Sequence, residues 1–428
     1  MMTSNLTIVD SRASLRRFGT ANDAEKNTSN DAIVSLLVAL VLAYTVFAMI
    51  QGLISFSMNR VVGAFIILVL FYDFLKHLTG PKVIAACVIC ISAVLCLGIF
   101  STDRSRDFEF FTYLSCTLPF LSYIARITTV QDVRFALRRW RTPIAICLVL
   151  CTLLAAYALI TRTGYVKSWG GDSYFAGFAN GEHTMASIAC LLMAVAFFSF
   201  KDGGFGKLPT LVVFAVFTWA AFETGARTFL IPVVILWVLL VNDESIVKQR
   251  WLRNALMTLL VFAAVFVFTS SSMATKFDYI SAFASTSNKG EVDSFTSGRL
   301  DYWRVDLAGF FNSAPLNQLF GNSASFVHAL NDQVFLMPIW AHDDFVMILC
   351  SAGYAGLLVY LGTLVVFFKN VKPLVCRWQY WLLLVYVFFP AVVNGFYGYQ
   401  HLMCSSMLLT CALVCLGRDR TGDLNEER

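Results

Sequence analysis

Three residues in this chain are set out in a way that could do chemistry at one membrane face. His342 stands in A-H-D-D-F (Ala341–Phe345), Arg227 in E-T-G-A-R-T (Glu223–Thr228) and Arg299 in S-G-R-L-D-Y-W (Ser297–Trp303). A neutral imidazole beside carboxylates can take a proton from a hydroxyl. A guanidinium fork binds phosphate, and Arg299 stands at the expected start of a helix, where backbone N–H groups add to the pull on an anion. The plainer alternatives are an interfacial anchor for Arg227, a salt bridge from Arg299 to Asp293 or Asp301, and a structural hydrogen bond for His342. His183 in F-A-N-G-E-H-T-M-A-S (Phe178–Ser187), with Asn180 and Glu182, either lines a sugar site or caps the following helix. His328 and His401 fall on the same face, and only His77 is on the other. No metal constellation is expected: H-E-x-x-H, Walker A and nucleophile-elbow motifs are missing, and the adjacent pair Asp343–Asp344 alone is weak.

The elements that must position these residues are apolar. Of 428 residues 58% are hydrophobic and 14% charged, against roughly a quarter charged in soluble domains. The apolar residues come in runs near the ~20 residues needed to cross a bilayer core of ~30 Å as helix. Open sheets and bare loops cannot do so, because unpaired backbone is too costly in hydrocarbon. The chain therefore reads as an all-α polytopic membrane protein with twelve spans: Ala32–Phe56, Val61–His77, Lys82–Phe100, Phe108–Ile124, Pro143–Thr161, Thr184–Phe200, Leu208–Phe222, Thr228–Val241, Ala255–Thr269, Asp344–Phe368, Trp378–Val393 and Leu402–Leu416. A net charge of +5 does not suggest nucleic-acid binding here.

Basic residues set the orientation. With both ends inside, the inner segments hold Arg126, Arg134, Arg138, Arg139 and Arg141, then Lys201 and Lys207, then Lys248, Arg250 and Arg253, then Lys369, Lys372 and Arg377. One membrane domain, 32–416, is expected between cytoplasmic tails at 1–31 and 417–428, with no cleavable signal peptide. Its large polar loop, Ser271–His342, lies outside and is partly helical: one helix over Leu300–Phe311, with Ser297 as its cap, and a second around Val327, Leu330 and Val334. The inner segment Arg126–Arg141 reads as an amphipathic helix on the membrane surface or a basic connector. Eleven of the twelve cysteines fall in spans, so no disulfide framework is implied. Outer-face aromatics such as Tyr397 and Tyr399 read as an interfacial belt; Trp303, inside the loop, is the best candidate for stacking on a sugar ring.

These motifs, in this order, resemble the O-antigen ligase and O-antigen polymerase superfamily of bacterial envelope glycosyltransferases. T-G-A-R-T (Thr224–Thr228) is similar to the family's S-x-S/A-R-T/G connection, S-G-R-L-D-Y-W to its S/T-G-R-x-x-x-W, and A-H-D-D-F-V-M-I-L-C-S-A-G-Y-A-G-L-L-V-Y-L (Ala341–Leu361) to its H-N-x-[FYL] segment followed by G-x-x-G. G-F-A-N-G-E-H-T-M-A (Gly177–Ala186) resembles the G-x-F-x-x-P-N-x-x-A segment. The family's Asn after its His is Asp343 here, and its P-N is replaced by Gly181–Glu182–His183.

The resemblance implies a GT-C-like fold in the bacterial inner membrane. It also implies metal-independent glycosyl transfer at the periplasmic face, from oligosaccharide carried on undecaprenyl pyrophosphate. On that reading Arg227 and Arg299 hold the pyrophosphate and His342 takes the acceptor's proton. His183, Asn180, Trp303 and Asp343 are the further candidates for substrate contact. No cofactor is implied, and a chain-length regulator protein is a partner to expect. The substituted H-D-D favours a polymerase of repeat units over a ligase that moves finished glycan onto lipid A core. A lipid-linked sugar transporter is the alternative of another class, against which stand the lack of internal repeats and the gathering of polar residues at one face.

Overall fold

The computed structural model describes residues 23–54, 56, 58–124, 127–167, 173–201, 204–243, 246–270, 299–336 and 338–426. The expected tail over residues 1–22, loop residues 271–298 with Asp293 and Ser297, and the side chain of Arg227 lie outside the described residues. Each apolar stretch in the sequence forms a helix. In chain order these are α1 (Asp23–Met49), α2 (Met58–Lys76), α3 (Gly80–Leu95, continued by a wider turn to Phe100) and α4 (Arg104–Ile124). The short α5 (Ile127–Arg139) and α6 (Arg141–Ile160) follow. A two-stranded hairpin, β1 (Tyr165–Lys167) with β2 (Ser173–Phe175), is the one sheet among the described residues. Then come α7 (Glu182–Lys201), α8 (Lys207–Glu223), α9 (Leu230–Val241) and α10 (Arg250–Ser270). Beyond the loop are α11 (Arg299–Phe311), α12 (Pro315–Phe320), α13 (Ala324–Phe335), α14 (Asp344–Val371), α15 (Arg377–Val393) and α16 (Gln400–Glu426).

Six of the helical segments are long and apolar enough to cross a membrane: 32–49, 58–76, 80–100, 141–160, 182–201 and 344–374. Helices α9, α15 and the apolar part of α16 are shorter. An apolar helix must bury its whole circumference in protein or lipid, and the bundle shows both outcomes. In α7 every residue from Met185 to Phe198 is buried, and α7 packs along α16, which is buried over 401–414. That pair is the centre of the bundle. Helix α3 instead turns Ile84, Ile91, Val94 and Ile99 outward, as a lipid-facing helix does.

Two expectations are corrected by the packing. The amphipathic α5 is a helix, but its apolar face, with Val133, Ala136 and Leu137 buried, packs on α1 and α16 rather than on lipid. Trp140 at its end donates its indole N–H to Ser35 Oγ at 2.8 Å. Over the expected C-terminal tail, 417–428, α16 continues as helix to Glu426.

The second correction concerns Asp344–Phe368, which is not one straight span. Tyr360 donates its hydroxyl to Asp344 Oδ2 at 2.7 Å across 16 residues, whereas a straight helix sets such residues about 24 Å apart. The chain doubles back at Gly353, whose backbone has φ 72°. The bend frees the carbonyls of Cys350 and Ser351, which accept the N–H groups of Asn322 (2.9 Å) and Ser323 (3.2 Å). A Cβ on Gly353 would lie 2.4 Å from the Leu319 carbonyl oxygen, so only glycine lets the chain between α12 and α13 dock there. Residues 344–352 therefore belong with the loop helices α11–α13, and 354–371 form the long leg.

The loop helices are tied to the bundle by a buried carboxylate. Asp107 of α4 accepts from Ser325 N (2.7 Å) and Ser325 Oγ (2.8 Å), capping the start of α13. A second buried carboxylate, Asp306 on α11, has no well-formed hydrogen bond at either Oδ, and Oδ1 of the nearby Asn331 on α13 has none either. Burial raises the Asp306 carboxyl to about 7, and the nearby Asn331 amide, without a well-formed hydrogen bond, lowers it only in part. The folded chain then holds a proton that the unfolded chain, with its carboxyl at 3.8, has released. Stability is expected to fall as pH rises from about 4 to 7 and to level off above that. Asp306→Asn should flatten the dependence and raise the melting temperature relative to wild type at pH 8, but not at pH 4, in detergent. Parallel profiles for the two proteins would show that Asp306 does not titrate in this range.

Candidate functional site

His342 sits between α13 and α14 with φ 53°, a conformation uncommon outside glycine. Three contacts hold it there. Trp303 of α11 donates its indole N–H to the carbonyl of Ala341 at 2.7 Å. The ring of Trp340 lies against the imidazole with centroids 4.9 Å apart. His342 Nδ1 is 2.9 Å from Asn394 Oδ1, in the turn between α15 and α16. The amide of Asn394 spends its Nδ2 donor on Tyr399 Oη at 3.0 Å. Its Oδ1 must therefore accept from His342 Nδ1–H, which leaves the lone pair on Nε2.

The surroundings keep that imidazole neutral. Burial and then the positive charge of Arg299 push its pKa from 6.5 down to about 3, with the Asn394 hydrogen bond opposing them. The charges of His183 and His328 act in the same downward direction as Arg299. Arg299, the first residue of α11, also acts on Tyr399, where burial raises the phenol and the Asn394 hydrogen bond and Arg299 pull it back.

Aromatic rings bring the other motifs to this turn. His183, in the first turn of α7, lies parallel to Tyr399 at 6.4 Å and edge-on to Phe229 at 6.3 Å; Phe229 meets Tyr399 edge-on at 5.2 Å. Phe229 ends the single helical turn Arg227–Phe229, so the backbone carrying Arg227 reaches the same aromatic cluster. The E-T-G-A-R-T connection is itself held by Glu223, which accepts from Tyr165 Oη (3.0 Å), Arg162 Nη1 (3.4 Å) and Trp219 Nε1 (3.4 Å). Gly225, at φ 63°, lets the Tyr174 ring of β2 come against the backbone, where a Cβ would be 2.6 Å from it.

Other sequence candidates have structural occupations. Trp303 commits its N–H to the Ala341 carbonyl. Asp343 is the cap of α14, accepting from Val346 N at 2.8 Å, and burial raises its carboxyl to about 6. His328 binds the Pro338 carbonyl through Nδ1 at 2.9 Å. His401 is buried and stacked on Tyr44 at 4.4 Å. Asn180 is exposed in the turn before α7, and His183 Nδ1 lies 3.5 Å from Glu182 Oε1. Asn394 is the residue that sequence reasoning missed. Its signal was N-G-F-Y-G-Y-Q-H (residues 394–401), a polar break with two glycines between the last apolar stretches. Among the described residues no group of three or more His, Cys, Asp or Glu side chains is placed to hold a metal ion.

Fold and composition define the class: an all-α protein whose long apolar helices suit it to a membrane. No model of a known protein family matches the chain, and no curated protein matches it in sequence.

Proposed function

We propose that this protein is a membrane-embedded glycosyltransferase that joins oligosaccharide repeat units carried on undecaprenyl pyrophosphate. The observation that carries the reading is His342: a half-buried, neutral imidazole with Nδ1 fixed by Asn394, Nε2 left as base, and the Arg299 charge acting on it. In this reading all twelve apolar helices pass through the inner membrane, both termini are cytoplasmic and His342 faces the periplasm.

The acceptor hydroxyl attacks the anomeric carbon of the donor. Its proton goes to His342 Nε2, and the bond from the anomeric carbon to the phosphate oxygen breaks. Undecaprenyl pyrophosphate leaves with the electron pair, stabilised by Arg299 and Arg227. A pyrophosphate is already a good leaving group, so the site must supply charge stabilisation more than acid catalysis. An imidazole pushed down to about 3 is a weak base while the site is empty of anion. The donor's own negative charge offsets Arg299, the second cause of that depression, and so raises the basicity of His342 when substrate binds.

The test is transfer by the purified protein in liposomes supplied with undecaprenyl-pyrophosphate-linked repeat units. A ladder of products, unaffected by EDTA, is the expected result. Failure to lengthen any unit overturns the reading. In a deletion strain, single repeat units on lipid A point to polymerase; long chains that never reach lipid A point to ligase.

A further inference from the structure

His342, Asp343 and Asp344 are consecutive, yet their side chains go to three places. His342 faces Asn394, Asp343 caps its own helix, and Asp344 turns inward and is fully buried. The Asp344 carboxylate accepts the N–H of Phe396 at both oxygens (3.0 and 2.9 Å), the N–H of Tyr397 at 3.2 Å, and the Tyr360 hydroxyl at 2.7 Å. Two successive backbone N–H groups closing on one carboxylate form an anion nest, here with the anion supplied by the chain itself. The nest is the turn 394–399, which carries Asn394 to His342 and Tyr399 to His183. Gly395 in that turn has φ 152°, and a Cβ on it would lie 2.6 Å from the Trp340 ring and 3.1 Å from Asp344 Oδ1. Trp340, Asp344 and the turn therefore close on one another with no room for a side chain.

We propose that Asp344 is a positioning residue: by gripping the Phe396 and Tyr397 amides it sets Asn394 against His342 Nδ1, and so fixes which imidazole nitrogen faces the acceptor. This rests on the glycosyltransferase reading. Asp344 touches no reacting atom. An amide keeps one accepting oxygen, which at the Oδ2 position still meets Phe396, Tyr397 and Tyr360, but its NH2 then faces the Phe396 N–H and the negative charge that draws the two amides is gone, so Asp344→Asn loosens the grip although it keeps the shape. A shift of about 1 Å in a catalytic group can lower turnover by about 100-fold, and that is the loss expected in kcat, with KM for the lipid-linked donor little changed.

The experiment combines transfer kinetics with hydrogen exchange on the full-length protein in detergent. Asp344→Asn should lower kcat about 100-fold and raise exchange in the peptide covering 394–400 while the α7 core stays protected. Asn394→Ala should lower kcat similarly, and the double variant should be no worse than either single one. Gly395→Ala pushes the turn away from Trp340 and the carboxylate while leaving the carboxylate itself in place, and should repeat the pattern, which keeps the inference testable if Asp344→Asn does not fold. Unchanged protection of 394–400 in Asp344→Asn, or losses that multiply in the double variant, would overturn the positioning role. If wild type transfers nothing while 394–400 still loosens in Asp344→Asn, the glycosyltransferase reading fails and the grip of Asp344 on the turn stands.

Discussion

Replacing His342 by Asn should reduce glycan transfer by about 10³-fold, the scale of losing a well-placed general base, while the protein still assembles in the membrane. Asn tolerates the left-handed backbone better than other polar residues, so φ 53° at this position is not a reason for misfolding. The variant keeps a polar side chain near Asn394 but has no nitrogen able to take a proton. The loss should appear in kcat, because donor binding is assigned to the arginines. His342→Ala should lose as much. Normal product length in either variant, measured on gels of glycan from cells or liposomes, would remove His342 from the mechanism. The neighbouring histidines make a useful contrast. His328 is fastened to the Pro338 carbonyl and His401 is buried against Tyr44, and the proposed transfer assigns a part to neither.

The second large effect concerns the two arginines. Arg227→Lys and Arg299→Lys should each reduce kcat/KM by about 100-fold, as expected when a positioned donor to developing charge is lost or blunted. Lysine keeps the charge but not the planar fork that grips two phosphate oxygens at once. Full activity of Arg227→Lys would reduce it to an interfacial anchor. Arg299 allows a sharper test, because its charge is the second cause of the low His342 pKa. Arg299→Gln removes that charge, so the imidazole pKa should rise from about 3 toward its ordinary value. Burial remains the first cause and holds it below 6.5. The acid limb of the pH–rate profile should therefore move to higher pH in Arg299→Gln, whereas it stays in place if Arg299 acts only on the donor. An unmoved limb, with His342 titration followed by NMR, would show that the two groups are not coupled.

Much of the helical frame was legible in the sequence because hydrophobicity is a local property. Each apolar stretch reads as helix wherever it stands, and the loop helices over 299–311 and 324–335 announced themselves by spacing. His342, Arg299 and His183 were legible as candidates because ionisable residues between apolar stretches are few. What was not legible is how the same residue types divide their work. Asp343 and Asp344 are adjacent and chemically identical, yet one caps a helix and the other grips a turn some fifty residues further on. Trp303 was legible as a ring able to stack on a sugar, but not as the donor whose N–H holds the backbone beside His342. Asn394 was marked only by the polar break 394–401 around it, and an Asn-Gly pair between apolar helices reads first as a turn.

The amino-acid sequence by itself determined the all-helical, lipid-compatible frame and the small set of ionisable residues at its polar breaks, because both follow from composition within a helix length. Tertiary structure alone decided the reversal at Gly353, the docking of the loop helices on the freed carbonyls, and the meeting of His342 with Asn394. Those depend on which backbone groups distant segments leave unpaired once packed, and no local pattern encodes that.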